Sequence, residues 1–204
     1  RCDMNNPQKY GNVRYLRPAI LAMQLAESGQ LTDENLAEMR EWDEPFFFRM
    51  CEDVQNKALA AMAAGEDNIQ KTPAVPVEKL FEAIIAPHKG KVVLVDFWNT
   101  WCSPCRSAIR TNEPHKTGEL ASDDLVWIYI ANETSPIGTY LKMIPDIKGL
   151  HYRLNDEQWR YICDYFKIDG IPSYVLVQKD GAYALSNEFR DHDLMVKTLK
   201  KLVK

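Results

Sequence analysis

Apolar residues recur at spacings of three and four through Phe47, Met50, Cys51, Val54, Ala58, Leu59 and Met62. That is the period of a helix with one buried face, and it predicts mostly α structure over residues 12 to about 64. Ser28-Gly29-Gln30 marks a break, Thr32 followed by Asp33 and Glu34 marks a helix start, and Pro45 stands near the start of the last helix, so two or three helices are expected. From Gly65 to Pro76 the period fails and Gly, Pro and polar residues gather, as in a linker. The expected division is a helical region with its linker over 1–75 and a second domain over 76–204.

The rhythm changes beyond the linker. A short amphipathic helix, Val77 to Ala86, and a Lys89-Gly90-Lys91 turn lead into the unbroken apolar run Val92 to Trp98, which reads as a strand buried on both faces. A helix from Ser103 to Lys116, a second buried strand at Leu125 to Ala131 and a helix-rich stretch from Ser135 to Phe166 are expected next, a βαβα order that implies a parallel start. Strands at Ser173 to Gln178 and Ala182 to Glu188 flank Lys179-Asp180-Gly181, a hairpin signal, and a helix from Asp191 to Val203 closes the chain. The fold class is therefore α/β, a central mixed sheet flanked by helices and preceded by a small all-α N-terminal region.

A net charge of -4 and a sequence pI of about 5.6 argue against a nucleic-acid partner. No apolar run approaches the roughly 20 residues of a membrane span, and Arg1 to Pro7 lack the apolar core of a signal peptide. The chain also starts without an initiator methionine, so a mature or trimmed product is expected, soluble as given and membrane-associated only through an unseen anchor. Cysteines stand at positions 2, 51, 102, 105 and 163, and only one pair is close in sequence. Cys2 and Cys51 would bridge in an oxidising compartment, or Cys51 serves core packing; both readings stay open.

The close pair lies in Trp101-Cys102-Ser103-Pro104-Cys105-Arg106, where a buried strand gives way to a helix. Two intervening residues let the sulfurs meet across the first helical turn, and the positive end of the helix dipole stabilises a thiolate at Cys102. Cys105, one turn further in, is more buried and suited to attack a mixed disulfide, so Cys102 is the candidate nucleophile and Cys105 the resolving thiol. Half a zinc site is the rival reading, but zinc takes about four ligands and the sequence has no second Cys-x-x-Cys or histidine pair, so neither metal nor cofactor is expected. Asp96 interrupts the run Val92 to Trp98, six residues before Cys102. Burial would raise its proton affinity and let it exchange a proton with Cys105; otherwise it sits at the strand's open end, bonded to backbone or solvent. In Gly170-Ile171-Pro172-Ser173 a proline directly precedes a strand, where it is no ordinary ladder residue, and a cis Ile171–Pro172 bond would suit it.

Val95-Asp96-Phe97-Trp98, Trp101 to Arg106 and Gly170 to Ser173, in this order, resemble the thioredoxin superfamily. The long stretch between the second strand and Pro172 resembles in particular the membrane-anchored or secreted bacterial TlpA/ResA-like thiol–disulfide proteins. The resemblance covers about residues 76–204. It implies a thioredoxin-like sheet, a cis Pro172 facing the cysteine pair, an Ile171 backbone that pairs with an extended substrate, and Asp96 in the family's buried acid position. Trp101, Ile171 and Pro172 are the implied substrate contacts. The implied activity is thiol–disulfide exchange with protein disulfides, as a reductant fed by an upstream electron donor, in the bacterial periplasm or cell envelope. Asn99 departs from the small residue usual after Phe-Trp, and Ser103-Pro104 from the Gly-Pro of thioredoxins proper, which leaves the redox potential open.

Rival functions are a peroxidase on the same fold, which would want a peroxidatic cysteine in its own loop, and a scaffold acting through the N-terminal helices. Cys163, on one helix face with Trp159, Ile162 and Phe166 beyond the capping Asn155, reads as a packed, inert thiol. His88, His115, His151 and His192 are scattered without metal spacing and read as surface or satisfied groups. Phe46-Phe47-Phe48 reads as core, or as part of the contact with the second domain. The helical region is too small for a strong core of its own and is expected to dock on its neighbour.

Overall fold

A computed structural model describes residues 45–203, together with Thr32, Glu34 and Ala37 singly. The expectations for Cys2, for the helices before Pro45 and for the side chains of Phe46–Phe48 and Cys51 lie outside the described residues.

The elements in chain order are α1 (Pro45–Glu66), α2 (Leu80–Ile85), β1 (Val92–Phe97), α3 (Ser103–Thr117), β2 (Leu125–Asn132), α4 (Ile137–Met143), β3 (Leu150–Leu154), α5 (Asp156–Phe166), β4 (Ser173–Val177), β5 (Tyr183–Leu185) and α6 (His192–Leu202). The five strands form one mixed sheet in the order β3-β2-β1-β4-β5. β1 runs parallel to β2 and antiparallel to β4, β2 parallel to β3, and β4 antiparallel to β5. Every residue of β1 is buried, as its unbroken apolar run requires. Leu94 and Trp98 face a core shared with Cys105 and Ile109 of α3 and Met195 and Leu199 of α6. Val93, Val95 and Phe97 face a second core with Leu80 and Ile84 of α2 and Ile162 and Phe166 of α5. Each such side chain contributes about 1.5–3 kcal/mol by leaving water.

The sequence reading is corrected at three places. β3 lies inside the stretch expected to be helix-rich. Its alternation is short and set on polar residues, and buried His151 holds a place an apolar residue would have signalled. β5 is only Tyr183–Leu185: the Ser186 N–H still reaches the Tyr174 carbonyl (2.7 Å), one step further along the same register, and a 3-10 turn over Asn187–Arg190 then ends the strand. The hairpin between β4 and β5 turns at Gly181, whose φ of +91° suits glycine. Lastly, α1 continues through Gly65 and Glu66, residues read as linker.

Gly65 stays helical because α4 passes directly against it. A Cβ there would stand 2.1 Å from the Leu141 carbonyl oxygen. Beyond α1, Ile69 forms a single parallel bridge with His151, and the Gln70 N–H donates to the His151 carbonyl (2.7 Å), laying the segment along β3. Among the described residues no helix is long and apolar enough to cross a membrane.

The close approach at Gly65 predicts that Gly65→Ala forces α1 away from α4 and destabilises the chain by about 1–3 kcal/mol, lowering the melting temperature by about 2–4 °C per kcal/mol. Calorimetry reads this directly, and an unchanged melting temperature would mean that α1 does not rest on α4.

Candidate active site

Cys102 is the N-cap of α3, with Pro104 in the first turn, where its fixed φ suits a helix and its missing N–H costs nothing. The Cys105 N–H donates to Cys102 Sγ at 3.2 Å, so the helix end solvates this sulfur through its backbone. The two cysteines are joined as a disulfide, with Cα atoms 5.3 Å apart. Both are buried, Cys105 completely. Trp101 beside them is 59% exposed, and its ring N–H donates to Thr134 Oγ1 (2.9 Å), which fixes an apolar surface at the mouth of the site.

The loop between β1 and α3 is tied down by a residue the sequence reading noted only as a departure. Asn99 is buried, and its Oδ1 accepts from the Ser135 hydroxyl (2.7 Å) and from the Asn132 N–H (3.2 Å), while Ser135 Oγ accepts from the Thr100 N–H (3.0 Å). A polar side chain placed directly after a buried strand was the available signal. Its partners lie more than thirty positions away, so sequence could not name them.

Ile171 and Pro172 lie against the disulfide from the other side. Their peptide bond is cis, and the Ile171 carbonyl oxygen is 3.7 Å from Cys102 Sγ. Arg190, which sequence reasoning missed, holds this turn by donating to the carbonyls of Pro172 (2.8 Å) and Gly170 (3.3 Å) and to Ser173 Oγ (3.3 Å). It comes from the 3-10 turn that replaces the expected end of β5.

Asp96 shares the face of β1 that carries Leu94 and Trp98 and looks toward α3. It is 1% exposed, and neither carboxyl oxygen has a hydrogen-bond partner among the described residues. No backbone or side-chain group among the described residues bonds this carboxyl. Loss of hydration pushes its pKa up to about 8, against a smaller opposing pull from the Lys116 ammonium.

Other candidates fall away from the pair. Cys163 is a free, half-buried thiol on α5, whose start carries a reciprocal cap between Asn155 and Gln158. Burial, with help from Asp164, pushes this thiol up to about 11, so it stays protonated and unreactive at neutral pH. His151 departs from the surface-or-satisfied reading: it is fully buried, Nε2 reaches the Ile147 carbonyl at 2.8 Å, and Nδ1 has no partner. Among the described residues no group of three or more His, Cys, Asp or Glu is placed to hold a metal ion.

A Cys-x-x-Cys disulfide at the start of the helix after the central strand, faced by a cis-proline turn, is the arrangement of thiol–disulfide oxidoreductases built on the thioredoxin fold. Residues 90–183 match a family model described as thioredoxin-like. Among solved structures it is similar to the thioredoxin domain of a thiol-disulfide oxidoreductase from Bacteroides vulgatus, with 23% identity and a TM-score of 0.51 over 59% of this chain and 84% of that one. A secreted disulfide oxidoreductase of Mycobacterium tuberculosis is 19% identical (TM-score 0.45, 57% of this chain and 86% of that one). An exposed lipoprotein thioredoxin of Streptococcus pneumoniae is 20% identical (TM-score 0.45, 58% and 90%). No curated protein sequence matches the chain.

The raised Asp96 pKa has a thermodynamic counterpart. The folded chain keeps this proton up to about pH 8, whereas the unfolded chain releases it near 3.8. Stability from Asp96 is thus complete below about pH 3.8 and is lost as pH rises through about 8. Asp96→Asn should match the wild type near pH 4 and exceed it by a few kcal/mol near pH 9. Urea unfolding of the oxidised proteins at the two pH values measures the gap; a difference independent of pH would refute the burial account.

Proposed function

We propose that the chain reduces protein disulfides through the Cys102/Cys105 pair, in the manner of the TlpA/ResA-like proteins of the bacterial cell envelope. The observation that carries this reading is the disulfide at the N-cap of α3, with Cys102 Sγ beside the Ile171 carbonyl. The envelope location rests on the long stretch between β2 and Pro172, which resembles the membrane-anchored or secreted TlpA/ResA-like proteins.

In the reduced protein, Cys102 is the thiolate, stabilised by the helix dipole and the Cys105 N–H. It attacks one sulfur of the substrate disulfide, forming a mixed disulfide and expelling the other substrate sulfur as a thiolate. Asp96, as carboxylate, takes the Cys105 proton directly or through a water. The Cys105 thiolate then attacks Cys102 Sγ, the mixed disulfide breaks, and the second substrate thiolate leaves with the electron pair. Two electrons have passed to the substrate, whose thiolates are protonated from solvent. The chain is left with the Cys102–Cys105 disulfide, and an upstream dithiol donor restores the thiols.

Trp101 and the Ile171–Pro172 turn supply the contact surface, Trp101 as an exposed apolar plate and Ile171 as backbone for an extended peptide. The buried resolving thiol explains the order of attack, because only Cys102 borders the Ile171 turn and the surface.

Cys102→Ser should abolish insulin-disulfide reduction, while Cys105→Ser should accumulate a covalent mixed disulfide that only added thiol releases. Asp96→Asn should leave the first attack intact and slow release by about 10²–10⁴-fold. Non-reducing gels and single-turnover kinetics separate these steps. Covalent trapping by Cys102→Ser would reverse the roles of the two cysteines.

A further inference from the structure

The buried face of α3 carries Cys105, Ile109, Asn112 and Lys116. The Lys116 side chain is only 4% exposed, an environment that disfavours an ammonium unless it is compensated. The compensation is present. Nζ donates to Glu113 Oε1 (2.5 Å) and to the Lys148 carbonyl (2.6 Å), and stands 4.5 Å and 4.8 Å from the ring centroids of Tyr129 and Trp127. Glu113 is itself fixed, accepting from the Lys148 N–H at 3.3 Å.

Beneath this ammonium the sheet register sets one row of ionisable side chains across four strands. Tyr174 of β4 pairs with Asp96 of β1, Asp96 with Tyr129 of β2, and Tyr129 with His151 of β3. Tyr129 and His151 stack at 5.2 Å. The Asp96 carboxyl oxygens, the Tyr129 hydroxyl and His151 Nδ1 have no hydrogen-bond partner among the described residues. Lys116 therefore stands as a cation over the ring of the residue laddered to Asp96.

We propose that Lys116, anchored by Glu113 and the Lys148 carbonyl, is a positioning residue that sets the proton affinity of Asp96 during the Cys105 step. The proposal rests on the reading of Asp96 as the acid–base group. A carboxyl buried with no charge near it would hold its proton too tightly to serve as a base near neutral pH, and a fixed cation in the same layer brings it back into range. The other groups facing Asp96 are Tyr129 and Tyr174, both held neutral by burial, and the cysteine pair. His151 is neutral too, its pKa pushed down to about 4 by burial, with a further downward push from Lys116.

Removing the cation must then raise the pH at which Asp96 gives up its proton. With the 204-residue chain, the pH profile of mixed-disulfide release should move up by about one unit in Lys116→Met, a tenfold loss of rate below the midpoint. The infrared band of the protonated carboxyl, assigned by its loss in Asp96→Asn, should titrate with the same shift. A folded Lys116→Met with an unchanged midpoint overturns the proposal. If Lys116→Met fails to fold, the neutral polar Lys116→Gln decides alone: a raised midpoint supports it, an unchanged or lowered one refutes it. If Asp96→Asn keeps the wild-type profile, the acid–base reading fails and this inference with it. Loss of the profile in Asp96→Asn alone sinks only the role of Lys116.

Discussion

Everything at the site hangs on a strand buried from both sides. β1 pairs with β2 on one edge and β4 on the other and is covered by α3 and α6 on one face and by α2 and α5 on the other. Every side chain there is buried, so a carboxyl at Asp96 can be kept only in a proton-holding state or beside a compensating charge. The same strand ends where the Cys102 loop starts, and its rigidity is what places the two sulfurs. A flexible carrier would deliver neither the acid nor the thiols to a fixed position.

The loops on either side of the disulfide are held by side chains rather than by regular structure. Asn99 gathers the segments before α3 and after β2, and Arg190 grips the turn before β4. The Asn99 bonds are buried, and removing its side chain leaves the Ser135 hydroxyl and the Asn132 N–H unsatisfied, typically at about 1–3 kcal/mol each. The site is thus fastened at two points, each fed by an element remote in sequence.

Local patterns carried much of this architecture into view. The unbroken run Val92 to Trp98, the cysteine spacing at the following helix and the Asp180-Gly181 hairpin are short-range signals, and each lies where periodicity or turn chemistry puts it. β3 was not legible, because within Leu150 to Leu154 the polar His151 is buried by tertiary contacts the sequence does not display. Lys116 was equally hidden. It reads as an ordinary lysine near a helix end until Glu113, Lys148 and two aromatic rings are brought round it. Asp96 stood out because it broke an apolar run, whereas Asn99 and Arg190 act through partners many positions away.

The edges of the sheet are both blunted. At one side Ile69 and Gln70 lay a piece of chain along β3, and at the other β5 stops after three residues and gives way to a 3-10 turn. A long bare edge would invite any extended polypeptide to add itself as a further strand. An edge of that kind would hold a bound polypeptide along its whole backbone and release it slowly. With both flanks short or occupied, the sheet offers little for another chain to add to.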